Sequence, residues 1–319
     1  TDLLQKYRSG YMIGAAYLVF AGILAVQRTQ VWKDSLSLWS DVIAKRPKAA
    51  LAWYNRGLAK KDAGDIRGAL DDFSESIRIN PNVAASYNNR AFARKLLKDY
   101  RGAIEDYTRT IGLDSAYTLA WYNRGVAKKE LRDFSGAISD LDKAISLNPA
   151  DPYAYFHRAV AKSQSGDPGG AADDYRKTIA LEPRFAGAYL NLGSLYLLQN
   201  NATAAAEVLE QGVRSAPGNA ALFDNLGYAY LELKDYPRSI ENFQQCLEIS
   251  NTNFDAAIGM AMAYLKQGDR AKAQEYYELA ARLEPRLKQG EEGIEALETA
   301  GYAFSQGKKN TLKELSGLK

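Results

Sequence analysis

The chain of 319 residues contains one cysteine, Cys246, and one histidine, His157. A single cysteine excludes a disulfide within the chain, and the two residues together are too few for a Cys/His zinc site contained in it. A Ser–His or Cys–His mechanism would have one imidazole to draw on. Charge of one sign is lacking too: 41 Lys and Arg against 38 Asp and Glu leave a net charge of +3, with no basic block to suggest nucleic acid. There is no glycine-rich phosphate loop and no metal-ligand cluster. Carboxylate pairs such as Asp71–Asp72 and Asp173–Asp174 recur in phase with a repeat, so they read as surface and inter-helix residues rather than as acid–base machinery. The expectation is a protein without cofactor or metal that binds other polypeptides and is not an enzyme.

What is present begins with a long apolar run. Ser9 to Gln27 carry no charge, and such a helix would be about 28 Å long, near the roughly 30 Å of a bilayer core. Lys6 and Arg8 flank one end, Arg28 and Lys33 the other, with Tyr7, Tyr11 and Trp32 where interfacial aromatics belong. Residues 1–30 therefore read as a transmembrane helix with its flanks. A signal sequence fits less well because no A-x-A site comes after the run, and a core helix would show a polar face. Basic residues stand on both sides, slightly more after the run, which weakly favours a cytoplasmic location for the C-terminal remainder of the chain. The chain starts at Thr1 rather than Met, which suggests a trimmed or processed product with sequence upstream.

Proline is scarce but regular. Pro47, Pro81, Pro149, Pro183, Pro217 and Pro285 are separated by multiples of 34, and Ser115 and Asn251 fill the gaps. A small residue recurs at the eighth position of each 34-residue period (Gly57, Ala91, Gly125, Ala159, Gly193, Gly227, Ala261) and another at the twentieth (Ala69, Ala103, Ala137, Ala171, Ala205, Ser239, Ala273). A bulky residue occupies the twenty-fourth: Phe73, Tyr107, Leu141, Tyr175, Leu209, Phe243 and Tyr277. This period predicts two antiparallel helices per unit, held close by the small residues and ended by proline.

The pattern resembles the tetratricopeptide (TPR) repeat over residues 50–287, as seven units without insertion: 50–83, 84–117, 118–151, 152–185, 186–219, 220–253 and 254–287. The resemblance implies an all-α, right-handed superhelical solenoid whose first helices (A) line a concave groove. Residues 31–49 read as a degenerate half-repeat, with Trp32–Pro47 as its B helix. Residues 288–319 read as a C-terminal cap and tail, with one amphipathic helix over Glu291–Gln306 and then a short helix or disorder.

The repeats differ in chemistry. At the seventh position the first four carry Arg56, Arg90, Arg124 and Arg158, and at the twenty-third Asp72, Asp106, Asp140 and Asp174. Repeats five to seven have Leu192, Leu226 and Met260 against Val208, Asn242 and Tyr276. The two positions change together, which points to a bidentate Arg–Asp pair between helices A and B. Position eleven splits likewise, from Lys60, Arg94, Lys128 and Lys162 to Tyr196, Tyr230 and Tyr264, and is compatible with solvation or packing as much as function.

In the groove, the sixth position carries Asn55, Asn89, Asn123, His157, Asn191 and Asn225, then Gly259. Asparagine is a poor interior helix residue, and its amide offers both donor and acceptor to a peptide backbone. The ladder resembles that of the TPR superhelix of O-GlcNAc transferase, which implies backbone binding; a consensus asparagine without a ligand is the alternative. Tyr54, Tyr122 and Phe156 at the fifth position offer apolar contact. Lys61, Lys95 and Lys129 at the twelfth favour an acidic extended segment, or stand as a solvated face.

The junction Arg28–Trp39 has an R-x-x-x-W-x-D-x-x-x-L-W pattern. With an apolar helix before it and repeats after it, it resembles the C-terminal end of bacterial multi-pass O-mannosyltransferase-like membrane proteins. That resemblance implies a periplasmic repeat domain, against the charge count, and a catalytic part upstream of Thr1. The functional alternatives are a membrane-anchored scaffold binding a polypeptide or partner subunit, the substrate-recognition arm of a membrane glycosyltransferase, and a structural subunit of a large membrane complex.

Overall fold

The computed structural model describes residues 33–300 and 306–317. Among these there are 17 α-helices, one 3-10 helix and no strand. The expected transmembrane segment at 9–27 lies outside the described residues. Among the described residues no helix is long and apolar enough to cross a membrane.

The chain divides into two compact units, Thr1–Pro149 and Ala150–Lys319. The first opens with a helix over Ser35–Lys45, where Asp34 Oδ1 accepts from Ser37 N at 2.8 Å and so caps the exposed amides of the first turn. Three helix pairs come next: Ala50–Asp62 with Ile66–Ile79, Ala84–Leu96 with Tyr100–Leu113, and Thr118–Glu130 with Phe134–Leu147. The second unit holds four pairs: Pro152–Gln164 with Pro168–Leu181, Ala186–Leu198 with Ala202–Ser215, Ala220–Glu232 with Tyr236–Ile249, and Phe254–Gln267 with Arg270–Leu283. Within each unit every A helix packs on its own B helix. Each unit is thus an α-solenoid segment.

Each A-to-B turn uses the same chemistry at the fifteenth and sixteenth positions. Gly64, Lys98, Arg132, Gly166, Asn200, Lys234 and Gly268 all take a positive φ, the left-handed conformation that closes a helix C-terminus. The next residue, Asp65, Asp99, Asp133, Asp167, Asn201, Asp235 or Asp269, caps helix B by accepting a backbone N–H two or three residues into it. Lys98, Arg132 and Lys234 each carry strain of about 1 kcal/mol at this position. Glycine at three of the seven positions was too sparse a signal to show this from composition.

The small residues sit where helix A meets helix B. A Cβ on Gly57 would come within 2.7 Å of the Phe73 ring, and one on Gly193 within 2.7 Å of Leu209. Ala69, Ala103, Ala137, Ala171, Ala205 and Ala273 are fully buried against that contact. The bulky residue fills the space beyond it: Phe73, Tyr107, Leu141, Leu209 and Phe243 are all inaccessible. Each contributes about 1.5–3 kcal/mol of burial.

The C-terminal end differs from the sequence expectation. Instead of one helix over 291–306, a 3-10 turn at Pro285–Gln289 leads into Glu291–Thr299, and a separate helix spans Gln306–Ser316. Gly301, a helix-ending residue type, stands just beyond the first of these in the sequence. Leu287, Ile294, Leu297, Leu312 and Leu315 join the apolar cluster of repeat seven, so both helices cover the end that a further repeat would otherwise bury.

Candidate functional site

Positions two, six, nine and thirteen of helix A fall within about 60° of one another at 100° per residue, so they form one stripe. Among the described residues nine large apolar side chains are exposed, and five of them lie at these positions: Leu51, Leu119 and Tyr153 at position two, Leu96 and Leu198 at thirteen. Leu198 is 82% exposed. Sequence reasoning placed positions two and thirteen on the concave face of helix A but singled out none of these five residues. Within each unit, the position-six residues lie in the middle of this stripe on their own helices.

The ladder amides are partly engaged. Asn89 Nδ2 donates to its own helix at Ala85 O (2.9 Å) and to Tyr54 Oη of the preceding repeat (3.2 Å). Asn123 Nδ2 donates to Leu119 O (2.9 Å), and Asn225 Nδ2 to Ala221 O (3.1 Å). Bonding back to the carbonyl four residues earlier makes a mid-helix asparagine tolerable and fixes its amide plane. The Tyr175 phenol is pushed up to about 12 by burial, opposed in part by the Asn191 amide. Asn55 is half-buried, and His157 stands edge-on to Phe156 at 5.5 Å. The ladder ends at Gly259 for a packing reason: a Cβ there would lie 2.2 Å from the Phe243 ring.

The fifth-position aromatics separate. Tyr54 stays with Asn89 and is tilted against Phe73 at 5.8 Å. Phe156 is drawn into an aromatic group with Phe185 (4.8 Å) and Tyr175 (5.9 Å). Tyr122 is half-buried.

The arginines and aspartates meet in all four repeats. Asp72 accepts from Arg56 Nε (2.7 Å) and Nη2 (2.8 Å); Asp106 from Arg90 Nε (2.8 Å) and Nη2 (2.7 Å); Asp140 from Arg124 Nε (2.8 Å) and Nη2 (2.7 Å). Arg158 holds Asp174 in the same way, at 2.8 and 2.5 Å. Position eleven supplies a second cation to each carboxylate: Lys60 (2.9 Å), Arg94 (3.0 Å), Lys128 (2.8 Å) and Lys162 (2.9 Å). Each arginine also lies over the ring at position four, Trp53, Tyr87, Trp121 or Tyr155, at 4.7–5.7 Å. These carboxylates are doubly neutralised structural centres of the A–B contact.

The twelfth-position lysines are not equivalent. Lys61 faces Asp62 at 3.5 Å and Lys129 faces Glu130 at 2.7 Å, each an acid of its own helix. Lys95 Nζ instead donates to Asn123 Oδ1 of the next repeat at 2.6 Å.

Tetratricopeptide-repeat family models match residues 21–84, 119–151, 158–220 and 230–300. The chain is a tetratricopeptide-repeat protein. No curated protein matches this TPR chain in sequence. Among solved structures, it is similar to the C-terminal part of a TPR repeat-containing protein from Cytophaga hutchinsonii, with a TM-score of 0.64 and 15% identity over 76% of this chain and 99% of that one. It is similar to YrrB, a TPR protein with an unusual peptide-binding site, with a TM-score of 0.51 and 18% identity over 58% of this chain and 95% of that one. A chain of the APC/C hetero-tetramer Cut9–Hcn1 gives a TM-score of 0.54 and 22% identity over 72% of this chain. The TPR chain spans 46% of that chain's length. At these identities the likeness is one of fold.

Proposed function

We propose that this TPR protein is a membrane-anchored scaffold that binds an extended polypeptide, or a segment of a partner subunit, along its A-helix stripe. The observation that carries the reading is the concentration of exposed leucine and tyrosine on the same stripe as the asparagine ladder. Apolar anchors flanking amide groups suit an extended chain, whose side chains alternate while its backbone needs donors and acceptors. The in-phase aspartates are each held by two cations, so binding is a better reading of the repeats than catalysis. The apolar run at 9–27 would supply the anchor, with the repeats outside the cytoplasm as the O-mannosyltransferase-like resemblance implies.

The same resemblance supports a second reading, the substrate-recognition arm of a membrane glycosyltransferase whose catalytic part lies upstream. Asp34 of the junction motif caps the half-repeat helix, so that part of the motif starts the repeat array. A third use, as a structural subunit of a large membrane complex, parallels the assembly in which the Cut9–Hcn1 relative was crystallised.

A photo-crosslinking residue placed at Leu119 on the stripe, and another at exposed Asp71 on helix B, tests the proposal in the producing cell. Partner capture from Leu119, lost in the Asn89→Ala/Asn123→Ala protein, is the expected result. Capture from Asp71 alone, or capture unchanged by the double substitution, would move the contact off the A helices. The mass of the native chain before crosslinking separates the first two readings: a polypeptide far above 35.2 kDa is the recognition arm.

A further inference from the structure

Helices A of repeats one to four carry eleven cations, and among the described residues ten of them have a carboxylate within 4 Å. The exception is Lys95. Its ammonium is half-buried, lies 4.9 Å from the Phe92 ring centroid and gives one proton to Asn123 Oδ1 at 2.6 Å. An ammonium has three donors, so two remain. Burial without a compensating acid pushes its pKa below the usual lysine value. Asn123 is itself fixed by its bond to Leu119 O, so the Lys95–Asn123 pair is held in place before any ligand arrives. A partly desolvated cation with spare donors attracts an anion much more strongly than a solvated one.

We propose that Lys95 and Asn123 form a subsite on the A-helix stripe that takes the side-chain carboxylate of an aspartate or glutamate within an extended partner segment. This inference rests on the proposed function. Charge complementarity identifies the group: Lys61 and Lys129 already face acids of their own helices, and only Lys95 lacks one. The carboxylate belongs to an internal residue because exposed apolar side chains, Leu96 and Leu119, stand on both repeats that form the subsite. A chain ending at Lys95 would leave one of them uncovered.

The test pans a random library of nine-residue peptides, end-blocked in one arm and with a free C-terminus in the other, against the full chain. End-blocked peptides recovered with wild-type protein should carry Asp or Glu at one fixed position, binding roughly tenfold more tightly than their Asn or Gln analogues. Lys95→Gln should still recover peptides but lose that preference, Lys95→Arg should keep it, and Lys61→Gln should leave it intact. Circular dichroism of each variant controls for folding. Peptides recovered without an acidic preference, or a preference surviving Lys95→Gln, would overturn the subsite and leave the stripe standing. An acidic preference confined to the free C-terminus would overturn the side-chain assignment. Recovery of no peptide by the wild-type chain would overturn both this inference and the function on which it rests.

Discussion

Replacing Asp140 by alanine should destabilise repeat three far more than removing its whole charge cluster. The Asp140 side chain is 3% exposed and accepts from Arg124 Nε at 2.8 Å, Arg124 Nη2 at 2.7 Å and Lys128 Nζ at 2.8 Å. Deleting one partner of a buried pair costs about 3–5 kcal/mol, because a charge is left without compensation. Here the cations keep an edge to water, with Arg124 12% and Lys128 21% exposed. Arg124 also retains the Trp121 ring at 4.8 Å and Thr108 Oγ1 at 3.0 Å. The cost should therefore fall to about 2–3 kcal/mol.

The chain supplies its own control. Repeat five places Leu192, Tyr196 and Val208 at the three equivalent positions, so Arg124→Leu/Lys128→Tyr/Asp140→Val installs an apolar solution this fold already uses. The triple substitution leaves no uncompensated charge and should cost less than about 1 kcal/mol. Because a repeat array need not unfold in one step, the assay is native-state hydrogen exchange read over residues 118–147, with urea unfolding as a global check. A triple variant as unstable as Asp140→Ala would refute the reasoning, since the loss would then come from packing rather than from stranded cations.

Three further outcomes are expected. Asn89→Ala/Asn123→Ala should lower stability by no more than about 1–2 kcal/mol, since each substitution loses a back-bond and one inter-repeat bond, to Tyr54 Oη or from Lys95 Nζ, against roughly 0.5 kcal/mol of helix propensity gained; a larger drop would make the ladder structural rather than ligand-binding. Gly259→Asn, which would restore the ladder, should destabilise by about 1–3 kcal/mol because its Cβ meets the Phe243 ring at 2.2 Å, and Phe243→Leu should recover part of that in a thermal melt. Burial pushes the phenols of Tyr175 and Tyr230 up to about 12, opposed by the Asn191 amide in the first and reinforced by Glu210 in the second. The folded state therefore holds their protons more tightly than the unfolded chain, so stability from these groups is complete below about pH 10 and falls as pH rises towards 12. Absorbance at 295 nm should show these two, together with the other buried phenols such as Tyr107 and Tyr228, ionising after the exposed tyrosines; simple titration of all 21 near pH 10 would contradict it.

The repeat was written in the sequence alone. A 34-residue recurrence of small, small and bulky residues has one economical solution, the packed helix pair, because no unit can bury its own apolar face and every unit must solve the same packing problem. The joint change of positions seven and twenty-three was legible because a bidentate ion pair needs both partners or neither. Position eleven was not legible, since a lysine on a helix surface looks the same whether it faces water or a buried carboxylate one helix away. Equally hidden were how far the leucines at positions two and thirteen stay exposed, the Phe243 ring that excludes a side chain from position 259, and the isolation of Lys95 among lysines of identical phase. Each depends on what a neighbouring helix places within a few ångströms. Periodicity specifies which faces of a helix are equivalent; only tertiary contact decides what each copy of that face meets.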